Sequence, residues 1–139
     1  MAITTNSGVG SFSFTIKQGG DFSLSLTWLD DNGAPMNLTG YSMALSIARG
    51  VGLTPMLTVS STASAGSRIV LGGTAGTIDV ILADADTSSL TSTGLPSLPT
   101  LTNYPVFRLG LYDLKYTDPS GNVGYLLEGI VSLDPRTTV

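Results

Sequence analysis

One short segment has the residue types of a hydrolase active site. Asp86-Thr87-Ser88 is similar to the Asp-Thr-Gly or Asp-Thr-Ser signature of aspartic proteases, in which two carboxylates share one proton. A chain of 139 residues would have to supply the second aspartate by dimerising. Residues 83–85, Ala-Asp-Ala, stand where a hydrophobic strand should deliver the aspartate, and a helix cap at Asp86 explains the motif equally well. We therefore predict that the chain is not an enzyme.

Two further segments could bind ions. Asp30, Asp31 and Asn32 offer oxygen ligands for Ca²⁺, but the alternating acidic spacing and the bidentate glutamate of a calcium loop are missing, so an exposed hairpin turn is predicted. Residues 72–76, Gly-Gly-Thr-Ala-Gly, could cradle a phosphate, but no Gly-Lys-Ser/Thr follows, and a turn is predicted again. Because the chain contains no histidine and no cysteine, we expect no serine triad, no metal site and no cofactor.

The composition indicates which elements carry these segments. The 17 serines and 18 threonines make up a quarter of the chain, and they favour turns and strands respectively.

The six basic residues are scattered singly and the net charge is −4, so we expect no nucleic-acid partner. No signal peptide or long apolar run is present, so we expect a soluble, unexported chain without membrane contact. Charged residues reach only 12% and mean hydropathy is +0.31, which favours a subunit of an assembly.

Apolar side chains recur at every second position, as in half-buried strands, in runs that begin at Phe12, Phe22, Tyr41, Ile69, Ile78, Leu109 and Val123. Residues 83–90 break this period and allow a helical turn. Such spacing suits a sandwich or a small barrel. We predict an all-β fold: a single immunoglobulin-like antiparallel β-sandwich of seven or eight strands with at most one short helical turn. Residues 1–10 form a polar N-terminal arm, and residues 11–139 form the sandwich domain, with a long Pro/Ser/Thr loop at 91–105.

A resemblance enters at residues 17–28, KQGGDFSLSLTW, and residues 30–41, DDNGAPMNLTGY. These segments resemble small virion proteins of tailed bacteriophages, whose nearest named relative is the N-terminal β-sandwich of baseplate upper proteins. Residues 73–80, 112–123 and 126–133 follow the same pattern in the same order. The resemblance implies a virion structural component, commonly associated with the tail or baseplate, that docks onto other phage proteins. The resembling sequences tend to cross from the short helical turn to the strand at Tyr112 with few residues, whereas residues 91–105 intervene in this chain.

We therefore predict a non-enzymatic virion structural protein, an assembly or adaptor subunit of the tail or baseplate, made in the host cytoplasm. Its expected partners are other virion proteins and copies of itself. An uncharged arm or an unpaired strand edge completes its hydrogen bonds only on another chain. The predicted contact residues accordingly lie in the arm and in the long loop: Ile3, Thr4, Thr5, Asn6, Leu95, Leu98, Leu101 and Tyr104.

Two other hypotheses stay open. A capsid decoration protein or the base of a head fibre would need the same properties, and no residue separates head from tail. A carbohydrate-binding module that recognises a host surface glycan would need an exposed aromatic side chain. Trp28 is in phase with Leu24 and Leu26 and is predicted to pack in the core, which leaves Tyr104 as the exposed candidate.

Overall fold

The structure, a computed structural model, describes residues 1–4, 8–92, 95, 97–98 and 106–139. These residues form eleven strands, one short α-helix and a 3-10 turn at Gly73–Ala75. In chain order the elements are β1 (Ala2–Thr4), β2 (Gly10–Ser11), β3 (Phe14–Lys17), β4 (Phe22–Leu29), β5 (Ser42–Ala48), β6 (Leu57–Ser60), β7 (Arg68–Leu71), β8 (Thr77–Leu82), α1 (Asp84–Ser88), β9 (Ser97–Leu98), β10 (Val106–Thr117) and β11 (Val123–Asp134). No helix within these ranges is long and apolar enough to cross a membrane.

The strands form two sheets with the orders β1-β4-β8-β7 and β2-β11-β10-β5-β6. In addition, β3 pairs with β11 and β9 pairs with β10. In immunoglobulin nomenclature, the first sheet, β1-β4-β8-β7, has the strand order ABED. In the second sheet, β11-β10-β5-β6 has the order GFCC′, and β2 adds outside strand G. Those are the two sheets of an immunoglobulin sandwich. The predicted all-β, immunoglobulin-like fold is confirmed.

The sheets are mixed, whereas the sequence predicted antiparallel pairing throughout. Strand β1 runs parallel to β4, and both β2 and β3 run parallel to β11. These three strands contain two to four residues each, and they also raise the strand count above the predicted seven or eight. Alternation of apolar residues marks the faces of a strand but does not give the direction of its neighbour. The pairing direction was therefore outside what the pattern could predict.

The core lies between the sheets and follows the predicted alternation. In β4, Leu26 and Trp28 are buried, and the serines between the apolar positions face outwards. The Trp28 ring packs against Tyr41 and Tyr116, with centroid distances of 5.8 and 4.9 Å. The predicted core position of Trp28 is confirmed, and this buried ring offers no platform for a sugar.

Two connections use the same hydrogen-bonded loop, at residues 30–34 and 118–122. In each, the aspartate N–H donates to the carbonyl of the fifth residue, and the aspartate carbonyl accepts from the glycine at position four. One carboxylate oxygen of Asp30 or Asp118 accepts two further backbone N–H groups at 2.8–2.9 Å. The fourth residue has a φ of 81° or 89°, which glycine adopts readily. The turn predicted at Asp30 is confirmed.

The predicted helical turn is α1, but Asp86 does not cap it. The N-cap residue is Ala83, and Asp86 lies inside the first turn. The N–H of Asp84 is bound instead by a carboxylate oxygen of Asp21, at 2.9 Å. A residue far away in the chain therefore satisfies the free N–H of the helix start, which local cap rules could not predict.

Candidate interaction surface

The structure places Ile3 differently from the predicted arm. Strand β1 adds to β4 with Ile3 opposite Trp28, and the Ile3 side chain is 5% exposed, inside the core. Burial of this aliphatic side chain favours pairing within the chain over contact with a partner. Thr4, next in the strand, is exposed. Residues 1–4 thus belong to the sandwich.

Of the predicted loop contacts, Leu95 packs against the core and is half-buried. Its N–H donates to the carbonyl of Ser92 at 3.0 Å. Leu98 lies in β9, opposite Val106 of β10. The other predicted contact residues, Thr5, Asn6, Leu101 and Tyr104, lie outside the described residues. Of the predicted contacts that the structure describes, Ile3 and Leu95 contribute to the core of the sandwich.

A groove of about 500 Å³ lies on the outer face of the sheet β2-β11-β10-β5-β6. Its floor follows from the register: Ala48 lies opposite Leu111, which lies opposite Ile130. Two residues further along β10, Asp113 lies between Ser46 of β5 and Glu128 of β11. The small side chains on β5 leave a depression beside the longer ones on β10 and β11. The segment 50–55 forms the wall of this groove.

The wall is a tight turn that exposes aliphatic side chains. The N–H of Leu53 donates to the carbonyl of Gly50 at 3.2 Å, and Gly52 has a φ of 78°, as expected for a type II turn. This turn leaves Val51 92% exposed and Leu53 58% exposed, and Ile130 on the floor is 36% exposed. An apolar surface gathered in this way favours contact with another molecule.

The groove also carries unpaired charges. Asp113 and Glu128 lie directly opposite each other, a placement that is unfavourable for two like charges. Neither carboxylate forms an ion pair or hydrogen bond within the described part of the chain, and the same holds for the exposed Arg49. The ion pair that the described ranges do contain joins Lys17 and Asp134, away from the groove. The groove floor therefore presents unpaired negative charge, and Arg49 does not line the groove.

A second concavity, of about 520 Å³, lies between residues 38–41, 61–64 and 68–73. Hydroxyl groups and the Arg68 side chain line it. Arg68 Nη1 already donates to the carbonyl of Gly66 at 2.7 Å. Burial, followed by the negative charge of Asp118, raises the pKa of Tyr41, so this phenol stays a protonated donor. The concavity is more polar than the groove, and among its lining residues Val70, at 42%, is the exposed aliphatic side chain.

The Asp-Thr-Ser segment is bound into the fold. The Ser67 hydroxyl donates to the Asp86 carboxylate and accepts the N–H of Ala83 at 2.8 Å. The buried Thr87 hydroxyl donates to the carbonyl of Gly20 at 2.8 Å. These contacts hold α1 against the neighbouring loops. In the ranges that the structure covers, no group of three acidic residues is close enough to hold a metal ion.

Sequence reasoning missed the groove, although two signals point to it. Ala44, Ser46 and Ala48 put small residues at every second position of one strand. Residues 49–53, Arg-Gly-Val-Gly-Leu, then place aliphatic side chains between glycines, where a turn is expected to expose them.

No protein-family model and no curated protein sequence matches this chain. Among solved structures, the chain is similar to a crystal structure of chicken TCR, with 14% sequence identity and a TM-score of 0.45. The match covers 98% of this chain and 57% of the TCR chain, so this chain spans little more than half the length of that neighbour.

Proposed function

We propose that this chain is a non-enzymatic structural subunit that holds neighbouring proteins of an assembly through the outer face of its β2-β11-β10-β5-β6 sheet. The resemblance, which covers most of residues 17–136, supports a tailed-phage virion as that assembly, and the tail or baseplate as its place there. The other virion proteins are then its partners.

The groove is the observation that carries this proposal. Its wall exposes Val51 and Leu53, and its floor contains the unpaired carboxylates of Asp113 and Glu128. Covering the aliphatic side chains contributes about 25 cal/mol per Å² of apolar surface, which favours a permanent contact. In a chain with 12% charged residues, few repulsive charges oppose such a contact.

The sandwich itself supplies rigidity. The floor of the groove consists of paired strands, and β10 and β11 are 12 residues long and paired over most of their length. A rigid floor loses little conformational entropy when a partner binds. This preformed sheet face is therefore suited to docking neighbouring proteins of the assembly.

Incorporation into purified phage particles tests this proposal. Val51→Asp places a charge on the exposed wall, and we expect a marked loss of incorporation with an unchanged melting temperature. Val123→Asp is the matched control, because Val123 is 57% exposed but lies outside the groove lining. Equal incorporation of both variants, or absence of the wild-type chain from washed particles, contradicts the proposal.

Three alternatives keep their own tests. Capsid decoration or a head-fibre base would use the same face, but it requires far more copies per particle than a baseplate, so a mass count together with immunogold labelling separates the two. A glycan-binding module predicts binding on a glycan array that is lost in Tyr104→Ala. A peptidase activity that is lost in Asp86→Asn would favour an enzyme instead.

A further inference from the structure

We propose that Asn32 is a site of spontaneous covalent modification, the deamidation of its side chain, and that the hydrogen bonds of Asp30 control its rate. The product carries a carboxylate in place of the amide, so one further negative charge is added to the net charge of −4. This inference concerns the chemistry of one exposed loop and does not depend on which proteins the chain contacts.

The reaction needs an asparagine side chain and the backbone nitrogen of the next residue, here Gly33. This nitrogen loses its proton to hydroxide and bonds to the side-chain carbonyl carbon, Cγ, of Asn32. The bond from Cγ to the amide nitrogen breaks, and that nitrogen takes a proton from water and leaves as ammonia. Water then opens the resulting succinimide ring at either of its carbonyls, which gives an aspartate or an isoaspartate. No oxidant or reductant is needed.

The loop at residues 30–34 leaves Asn32 open to this attack. The Asn32 side chain is exposed, and its amide forms no hydrogen bond within the described part of the chain. Gly33 has no side chain that could hinder ring closure, and a Cβ built there would meet nothing within 4 Å. The loop lies at the tip of a connection, where local opening costs least free energy.

The analogous loop at residues 118–122 lacks this combination. Its third residue, which precedes the glycine, is Ser120. Its asparagine, Asn122, has the fifth position, where Nδ2 donates to a carboxylate oxygen of Asp118 at 3.1 Å. The residue after Asn122 is the β-branched Val123, which crowds the attacking nitrogen and begins β11. The same loop geometry thus frees one asparagine amide and holds the other.

Asn37 is also held by the fold. Its Oδ1 accepts the N–H of Thr39 at 3.0 Å. The next residue, Leu38, is 2% exposed, and its N–H donates to the carbonyl of Gly73 at 2.8 Å. The nitrogen that would attack Asn37 is therefore buried and bound. Asn37 and Asn122 serve as internal standards for Asn32.

Asp30 holds the loop closed. Its carbonyl accepts the N–H of Gly33 at 3.0 Å, and one of its carboxylate oxygens accepts the N–H groups of Asn32 and Ala34, each at 2.9 Å. The hydrogen bond from Gly33 must break before its nitrogen can lose the proton to solvent. The reaction therefore proceeds from the opened loop, and its rate follows the fraction of molecules in which the loop is open.

Peptide mapping by mass spectrometry tests the site. The folded chain is kept in mildly alkaline buffer and sampled over weeks, and a sample taken at the start gives the background from digestion. We expect Asn32 to deamidate at least about tenfold faster than Asn37 or Asn122, because its loop opens at lower cost than paired backbone. Asn32→Gln, which must form a larger ring, should remove the main acidic species in ion-exchange chromatography, whereas the matched Asn122→Gln should keep it.

A second pair of variants tests the role of Asp30. Asp30→Ala removes the acceptor of two loop N–H groups and should speed deamidation of Asn32 at least about fivefold, because the closed loop loses hydrogen bonds. Asp31→Ala removes the same charge but no hydrogen bond of the described residues, so its rate should stay close to that of the wild type. Both variants should keep the wild-type circular dichroism spectrum.

Two results would overturn the proposal. Equal rates at Asn32, Asn37 and Asn122 in the folded chain would show that Asn32 is not a distinct site. Equal rates at Asn32 in Asp30→Ala and Asp31→Ala would show that the loop hydrogen bonds do not control the reaction.

Discussion

The Tyr112 hydroxyl donates a hydrogen bond to the carbonyl oxygen of Phe12 at 2.5 Å. Burial raises the pKa of Tyr112 well above its usual range, so the hydroxyl is protonated and can donate at neutral pH. Phe12 lies between β2 and β3, on the far side of β11, and its N–H donates to the carbonyl of Glu128 at 3.0 Å. This contact fastens the N-terminal segment to the sheet that carries the groove.

Removing this hydroxyl should lower the free energy of unfolding. Tyr112→Phe leaves the Phe12 carbonyl without its buried donor, and we expect a loss of about 1–2 kcal/mol in urea denaturation. Tyr125→Phe is the matched control, because Tyr125 is 48% exposed, and its effect should stay within about 0.5 kcal/mol. Equal effects of the two substitutions would mean that the hydrogen bond contributes nothing.

Gly129 allows the backbone of Phe12 to lie close against β11. A Cβ at this position would stand 2.1 Å from the Phe12 carbonyl oxygen, which is backbone and cannot turn aside. We expect Gly129→Ala to push residue 12 away from β11 and to destabilise the fold by about 2–4 kcal/mol, as measured by urea denaturation. In the control, Gly20→Ala, the added Cβ has its nearest neighbour at 3.7 Å, so a small effect is expected. A mild Gly129→Ala variant would show that the segment moves freely.

The Asp118 loop should make stability depend on pH in the acid range. The N–H of Asn122, helped by its side-chain amide and by the N–H groups of Ser120 and Gly121, lowers the pKa of Asp118. Because the folded pKa lies below the unfolded one, the carboxylate stabilises the fold above the unfolded pKa, and this contribution is lost as the pH falls through the folded pKa.

We therefore expect the difference in unfolding free energy between wild type and Asp118→Asn to be largest at neutral pH and to shrink towards strongly acidic pH. Urea denaturation across that range measures this difference, and Asp31→Asn, an exposed neighbour of the analogous loop, controls for net charge. A difference that is constant with pH contradicts the assignment.

The sequence predicted well those features that depend on neighbours in the chain. Alternating residues identified the buried face of β4, and the glycine and aspartate signals identified the turn at residues 30–34. The turn at residues 72–76 was predicted for the same reason, and β7 pairs with β8 across it. In each case the period or the required φ is written within a few residues.

Features that depend on distant residues were not predictable in this way. The cap that Asp21 provides for α1 and the parallel pairing of β1 with β4 join segments that no local pattern connects. The groove belongs to the same class, because Asp113 and Glu128 become neighbours only through the register of β10 and β11. The polar N-terminal segment was predicted to be an arm because its sequence does not reveal its partner strand, β4.

A substitution at Ile3 tests whether residues 1–4 form a strand of the sandwich or a free arm. Its side chain is 5% exposed and lies opposite Trp28, so Ile3→Ala should remove buried apolar surface and destabilise the fold by about 2 kcal/mol, at the low end for such a change because β1 is a short edge strand. Val9→Ala, at a side chain that is 45% exposed, should change the free energy of unfolding by less than about 0.5 kcal/mol. If the two variants unfold at the same urea concentration, Ile3 does not contribute to the core, and residues 1–4 act as an arm after all.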